Sequence, residues 1–511
     1  MSLHQLLANA AQIAPGAPAF HYQGRSADWR SLRGRVARRA GLFETPAAAA
    51  GERVAVLMAN VPEHLEALFA VPWAGRVLVP LNTRLSRSEQ RDILVHCGCR
   101  LLWHDERNNG RAQELASELD GLALRRFEPV DEWDGEADTL RGRSELPFVP
   151  ARPRAAAAIV YTGGTTGAPK GVELSHEALL LQALAAKDNF GLNDTTVFMH
   201  TAPMFHVADL TAGLGVTAAT ARHGFLPEFS PSALLDAIDK EGVNVAILVP
   251  TMIAATLDAA RDRPGSLQRL RTILYGAAPI QEPLLRRLIR EAPGVGLIQV
   301  YGQTEVGGAC SVLPARYHVL DGPFAGRIGS AGQVIAAFSL RIADEFGSEL
   351  PRGTIGELRV SGPGLMSSYW NDSRLTAETL RDGWLRTGDL GVMDDDGFVT
   401  IVGRSKDMII SGGENVFAGE VESALMGHDA VQAAAVIGVP DDKWGEAVHA
   451  VVVLKPARQV SEAELIAHCR ERIAHYKCPR SVALRSGALP MSGVGKVRKV
   501  DLLREWQDAR R

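Results

Sequence analysis

Residues 51–106 alternate between two hydrophobic periods, and no other feature constrains the fold of this chain as strongly. GERVAVLMAN (51–60) is an apolar run of strand length. PEHLEALFAVPWAG (62–75) has helical spacing and opens on Pro62, where a missing N–H costs nothing. RVLVPLN (76–82) reads as a strand, TRLSRSEQRDILVHCG (83–98) as a helix and CRLLWHDE (99–106) as a strand. Strands joined by helical crossovers predict a doubly wound parallel sheet. A polar, proline-bearing surface connection at 130–155 separates this run from a second one.

In the second run AAAAIVY (155–161), VNVAILVP (243–250), RTILYGAAP (271–279) and GLIQVYGQTE (296–305) are expected strands. Helices are expected from about His176 to Asn189 and around 251–262 and 282–292. Ligands of such sheets bind beyond the carboxyl ends of the strands. Three strand ends carry unusual sequences, TGGTTGAPKG (162–171), GAAP (276–279) and YGQTE (301–305), and their convergence points to one shared site. The first has the glycines, hydroxyls and lysine of a phosphate site, yet it is not the P-loop of nucleotide triphosphatases. There the lysine is followed at once by Ser or Thr to hold Mg²⁺, whereas Lys170 lies between Pro169 and Gly171.

From about 320 to 400 short strands and Gly/Pro/Asp turns such as DDDGFVT (394–400) suggest an all-β subdomain. After IVGRSKD (401–407) come a helix (AGEVESALMG), two strands (QAAAVIGV, AVHAVVVLKP) and a helix opening on Ser461–Glu464, which has capping-box form. The expected fold class is therefore α/β: a large N-terminal domain of two doubly wound α/β subdomains plus a β subdomain, with a small mobile C-terminal α+β domain. The boundaries are placed at 1–404 and 405–511.

At 511 residues the chain is long enough for two to four domain-sized units. A formal charge of −4 argues against a nucleic-acid partner. Cys97-x-Cys99 is too tight for a usual zinc pair and no second pair follows, so the five cysteines are read as buried reduced thiols of a cytoplasmic protein. MSLHQLLANAAQIAPGAPAF lacks the basic start and apolar core of a signal peptide, and no run of about 18 apolar residues predicts a membrane span. Weak peripheral membrane contact and a homodimer are both left open.

The strand-end motifs occur in order with PMFHVAD (203–209), WLRTGD (384–389), GRSKD (403–407), SGGEN (411–415), DKWGE (442–446) and PMSGVGKVRK (490–499). Taken together they resemble those of the adenylate-forming enzymes: acyl-CoA synthetases, the adenylation domains of peptide synthetases and firefly-type luciferases. Within these the chain is most similar to bacterial fatty-acyl and aryl CoA ligases. The resemblance implies an acid–CoA ligase using ATP, Mg²⁺ and coenzyme A on a small-molecule carboxylic acid. An acyl-AMP ligase loading a carrier protein and a luciferase-like oxygenase remain as alternatives.

It further implies roles, residue by residue. Thr162, Gly163, Gly164, Thr165, Thr166, Gly167 and Lys170 would guide the β- and γ-phosphates as pyrophosphate leaves. Gly276, Ala277, Ala278 and Pro279 would lie against adenine, with Tyr301 stacking nearby and Gly302 and Gln303 beside it. Thr304 would reach the α-phosphate and Glu305 would bind Mg²⁺, in keeping with that ion's preference for a carboxylate plus water and phosphate oxygens. Asp389 would accept the ribose hydroxyls and Arg404 would contact ribose or phosphate. Lys406 would be the hinge. Lys496 would be the catalytic cation of the adenylating step. Gly412, Gly413, Trp444 and Lys477 would form the CoA surface.

His206 would gate the acyl tunnel. Peptide-synthetase domains carry Asp at that position, so His206 disfavours an amino-acid substrate. Candidate acyl-pocket residues are Val207, Asp209, Val249, Gly276, Val300, Gly307 and Gly308. They are mostly small and apolar, which suits a medium or long acyl chain or an aromatic acid better than acetate. Asp209 faces either solvent or a polar group on the substrate, solvent being the simpler outcome.

Overall fold

A computed structural model of the chain describes residues 2–43, 51–127, 144–162, 169–278, 280–491 and 497–510. Among the described residues the strands form four sheets, of seven, nine, five and five strands. The seven-stranded sheet holds the expected alternation. Arg53–Leu57, Val77–Pro80, Leu101–His104, Ala123–Arg126 and Ala156–Thr162 run parallel, and Lys170–Ser175 and Ser368–Tyr369 add antiparallel to its margin. Helix Pro62–Trp73 starts with its proline in the first turn, and Arg87–Cys97 opens on a Ser86–Glu89 capping box.

In the nine-stranded sheet the parallel order is Gly296–Gln303, Thr272–Gly276, Val245–Leu248, Val197–His200, Arg222–Phe225, Pro18–Tyr22. The strand Pro18–Tyr22 comes from the start of the chain, so the two α/β units are not successive in sequence. One apolar cluster joins them, with Val54, Leu78 and Val160 from the first sheet and Phe20, Phe198 and Leu274 from the second. Helix Pro62–Trp73 is buried along its whole length, polar residues included. Glu66 sits between Arg35 (2.9 Å) and Arg39, and Glu63 meets Arg25 at 2.7 Å, so each buried carboxylate is paired, as burial of charge demands.

The region 320–400 departs from the all-β expectation. Its own sheet is built from Ser339–Ala343, Gly356–Ser361, Leu380–Arg381, Trp384–Met393 and Val399–Arg404. A helix Ser373–Thr379, capped by Asp372, interrupts it, while Gln333–Val334 and Ser368–Tyr369 leave to extend the two large sheets. Strands of two residues have too little pattern to announce which sheet they will join.

The chain then passes from Val399–Arg404 through the tight turn Ser405–Asp407 to Met408–Ser411, the start of the last sheet. Two long strands, Val431–Asp441 and Gly445–Leu454, form its centre. Helices Ala418–Met426, Glu462–Arg470 and Lys499–Asp508 accompany it. This unit has its own apolar clusters, around Val421, Leu425, Val436 and Leu465 and around Ile437, Val451 and Leu502. The capping box at Ser461 is present as expected. Among the described residues no helix is long and apolar enough to cross a membrane.

Candidate active site

After the expected loop at 162–171 the chain continues as a strand rather than running straight into a helix. Lys170–Ser175 returns antiparallel to Ala156–Thr162, with Thr162 opposite Lys170. Only then does His176–Asn189 begin, capped by the Ser175 hydroxyl, which accepts from the N–H of Ala178 at 3.1 Å. The alternation in KGVELS, with Val172 and Leu174 buried, is the signal that could have announced this strand. Lys170 is thereby a strand residue, its ammonium 6.0 Å from the centre of the Tyr369 ring. Gly163, Gly164, Thr165, Thr166 and Gly167 lie outside the described residues.

At the next strand end a Cβ on Gly276 would stand 2.2 Å from the carbonyl oxygen of Val300 on the neighbouring strand, so only glycine fits there. Ala277 takes φ +62°, a left-handed conformation uncommon for a residue with a Cβ. Pro279 lies outside the described residues, and Ala278 precedes it. The adjoining strand ends in Tyr301, Gly302 and Gln303, and the turn Thr304–Val306 follows directly.

Polar groups then converge on Tyr301, Glu305 and Asp389. The Tyr301 hydroxyl donates to Asp389 Oδ2 at 2.7 Å, and Arg404 Nε lies 3.0 Å from Asp389 Oδ1. Asp389 and Arg404 are themselves opposite each other on paired strands. Burial and the neighbouring Asp389 carboxylate push the Tyr301 phenol well up, so it remains a donor. Gln303 donates to the Thr387 carbonyl at 3.4 Å. The Tyr369 hydroxyl donates to Glu305 Oε1 at 2.8 Å, and Thr304 is buried beside it.

Two residues that the sequence analysis passed over shape this turn. Gln182 donates from Nε2 to the carbonyls of Val306 (2.6 Å) and Ala309 (2.9 Å), clamping the chain on both sides of Gly307 and Gly308. Tyr369 orients the Glu305 carboxylate from a two-residue strand. Nothing in their local sequence marks either, since both act across more than 60 residues. Among the described residues no three His, Cys, Asp or Glu side chains gather to hold a metal. A Mg²⁺ ion fits Glu305 only as one carboxylate completed by phosphate oxygens and water, which is that ion's usual habit.

On the acyl side His206 caps helix Val207–Ala218, its Nδ1 accepting from the N–H of Ala208 at 3.3 Å. The same helix packs on the turn after Glu305: a Cβ on Gly308 would meet Thr211 Oγ1 at 2.9 Å. Val207 is buried, Val300 partly so, and Val249 immediately precedes helix Pro250–Ala260.

Asp209 corrects the expectation of a solvent-facing acid. It is fully buried, with Oδ1 2.5 Å from His200 Nδ1; His200 Nε2 then lies 2.9 Å from His223 Nδ1, and His223 Nε2 3.2 Å from Thr217 Oγ1. Its other oxygen, Oδ2, is buried with no hydrogen-bond partner among the described residues. Burial raises the Asp209 carboxyl and lowers His223 well below the ordinary histidine value.

In the C-terminal sheet Gly412 (φ +64°) and Gly413 (φ +84°) make the turn between two strands. Gly412 donates to the Trp444 carbonyl at 2.8 Å, and a Cβ there would strike the Trp444 ring at 2.7 Å. The Arg480 guanidinium lies 4.0 Å over that ring and Lys443 4.7 Å. Lys477, expected on the CoA surface, has its ammonium 2.8 Å from both carboxylate oxygens of Glu420. Burial, then the charge of Arg404, lowers the Lys406 ammonium below the ordinary lysine value. Lys496 lies outside the described residues.

Residues 7–370 match the family model described as AMP-binding enzyme, and residues 420–496 match that of the AMP-binding enzyme C-terminal domain. The chain is 38% identical to a feruloyl-CoA synthase of Amycolatopsis sp, over 97% of each chain. It is 35% identical to an indoleacetate–CoA ligase of Aromatoleum aromaticum, over 98% of each. Among solved structures, ATP-bound MatB from Rhodopseudomonas palustris superposes with a TM-score of 0.89 at 29% identity, covering 100% of both chains.

Proposed function

The chain belongs to the AMP-binding enzyme family, and from that premise we propose that it is an ATP-dependent acid–CoA ligase whose substrate is an aromatic carboxylic acid. The observation that carries the nucleotide half is the Tyr301–Asp389–Arg404 cluster beside the Tyr369–Glu305 pair, at the carboxyl end of a parallel strand. Support for the acyl half comes from relatives named for feruloyl and indoleacetate substrates and from the apolar lining offered by Val207 and Val300.

In the first half-reaction the substrate carboxylate attacks the α-phosphorus of ATP, and the bond to pyrophosphate breaks. Asp389, held by Tyr301 and Arg404, accepts the ribose hydroxyls. Thr304 reaches the α-phosphate, and Lys496 offsets charge that grows on its oxygens. Glu305 would be the protein ligand of Mg²⁺, which when bound would supply compensating charge for the phosphates. In the second half-reaction the CoA thiol attacks the acyl carbonyl and AMP leaves. The C-terminal unit, 405–511, turns about Lys406 between the two steps and brings the Gly412–Gly413–Trp444 surface to the acyl group. A cytoplasmic setting goes with this reading, since free acid, ATP and CoA meet there.

The reading is tested by offering hydroxycinnamic, arylacetic and medium-chain fatty acids and following pyrophosphate release together with the mass of the thioester. Acid-dependent pyrophosphate with CoA-dependent thioester is expected, strongest for the aromatic acids. No acid-dependent release would overturn it; release with no thioester would transfer the acyl group to another acceptor.

A second expectation concerns Asp389. Hydrogen bonds to a charged group contribute about 1.5–3 kcal/mol each, so Asp389→Ala should raise the KM for ATP at least about tenfold. A wild-type KM for ATP in that variant would remove Asp389 from the ribose site.

A further inference from the structure

Helix Arg87–Cys97 ends on Gly98 in the left-handed conformation, φ +62°, and this turn brings Cys99 back against the helix end. The sulfurs of Cys97 and Cys99 lie 3.2 Å apart, both as free thiols. A disulfide bond is about 2.05 Å long, so closure needs the sulfurs to approach by only about 1.1 Å. Cys97 is buried, whereas Cys99 is partly exposed and not, as the sequence suggested, a buried thiol. Arg53 fastens the turn, donating from Nε to the Cys97 carbonyl at 2.7 Å and from Nη2 to the Gly98 carbonyl at 3.1 Å. The S–H of Cys99, and more weakly the Arg53 guanidinium, holds the Cys97 thiol below its ordinary value against the effect of burial, while Cys99 is held well above.

We propose that Cys97 and Cys99 are a redox-active dithiol, a modification site that closes to an intrachain disulfide when it meets a hydroperoxide. The pair loses one proton, and the resulting charge rests mainly on Cys97; when the remaining proton crosses the 3.2 Å contact from Cys99 to Cys97, the partly exposed Cys99 sulfur becomes the thiolate. That sulfur attacks a peroxide oxygen; the O–O bond breaks, giving a sulfenic acid on Cys99 and releasing hydroxide. Cys97 then attacks the Cys99 sulfur and displaces its hydroxyl. With hydrogen peroxide, two thiols give up two electrons and two protons, and two waters leave.

The pair sits where it can be felt. His96, next to Cys97, has Nδ1 2.7 Å from the Tyr161 hydroxyl. Tyr161 immediately precedes Thr162 and faces Gly171, where a Cβ would meet its ring at 3.0 Å. Closing the disulfide therefore shifts the support of Thr162 and Lys170, the residues flanking the phosphate segment. This consequence for activity rests on the proposed function; the disulfide itself does not.

The full chain, reduced and freed of reductant, is exposed to graded hydrogen peroxide, then alkylated under denaturing conditions and digested with trypsin. The peptide from residues 92–100 is expected to lose both alkylation sites and to be lighter by two hydrogens than its reduced, unalkylated form. Cys310, Cys469 and Cys478 should remain alkylatable, and dithiothreitol should restore the pair. Cys99→Ser should give no disulfide. The proposal is overturned if both thiols stay alkylatable at peroxide concentrations that oxidise N-acetylcysteine, or if the peptide gains oxygen without cross-linking. Acid-dependent pyrophosphate exchange should fall with disulfide formation in the wild type and hold steady in Cys99→Ser. Unchanged exchange in the fully cross-linked protein would overturn the link through Tyr161.

Discussion

Lys496→Ala is expected to slow acid-dependent pyrophosphate exchange by about 10²- to 10³-fold, the usual loss when one preorganised stabilising group is removed from a charged transition state. The cause is electrostatic. As the carboxylate adds to the α-phosphorus and the bond to pyrophosphate breaks, negative charge is concentrated on the oxygens around that phosphorus, and an ammonium placed there lowers the barrier. The neighbouring cations cannot take its place, because they are engaged elsewhere. The Lys499 ammonium lies 2.7 Å from Glu422 and Arg498 lies 2.9 Å from Asp501. The second half-reaction makes no such demand, so preformed acyl-adenylate mixed with CoA should still give thioester at close to the wild-type rate. Single-turnover measurement of both steps decides the matter: equal losses in the two would deny Lys496 a role specific to adenylation.

Gly302→Ala should damage both stability and turnover, for a different reason. Gly302 lies opposite Ala309 at a bulge in the strand pair that carries the Glu305 turn. A Cβ at that position would stand 1.8 Å from the carbonyl oxygen of Gly308 and 2.9 Å from the Cα of Ala309. Both obstacles are backbone, so no rotamer change relieves them and the two strands must part. Overpacking of this kind costs about 1–3 kcal/mol. It also moves Thr304 and Glu305, which follow within three residues, out of register with Tyr369 and with the Gln182 clamp. A lower melting temperature together with a fall in kcat is expected. A variant that melts and turns over like wild type would show that the strand pair yields more easily than its backbone contacts indicate.

Much of the site was legible because its chemistry is carried by short contiguous segments. YGQTE places Tyr301, Thr304 and Glu305 at one strand end without help from the rest of the chain. WLRTGD and GRSKD are also local, and the pairing of Asp389 with Arg404 follows once their strands are adjacent. Helix His176–Asn189 could be read at its observed bounds because Ser175 is a good cap and the run HEALLLQALAAKDN is rich in strong helix formers. What escaped was the return strand Lys170–Ser175, too short to outweigh the helix behind it.

Asp209 marks the limit more sharply. Its neighbours in sequence place it one turn from His206, and an acid on a helix is ordinarily solvated. Its partner His200, and His223 behind that ring, come from two strands of the sheet beneath, a relation that no local pattern encodes. Glu63 and Glu66 in the wholly buried helix Pro62–Trp73 repeat the lesson, since Arg25, Arg35 and Arg39 reach them from elements far back in the chain.

By itself, then, the sequence determined the alternation of strand and helix, the order of the motifs TGGTTGAPKG, GAAP, YGQTE, WLRTGD and PMSGVGKVRK, and hence the family. Those depend on backbone preference, side-chain period and residues a few positions apart. Only the tertiary structure decided which charges are buried, what orients Glu305 and Asp389, and that two thiols stand 3.2 Å apart behind Tyr161. Burial and hydrogen bonding are set by what lies across the contact, and the far side of a contact is settled only when the whole chain has packed.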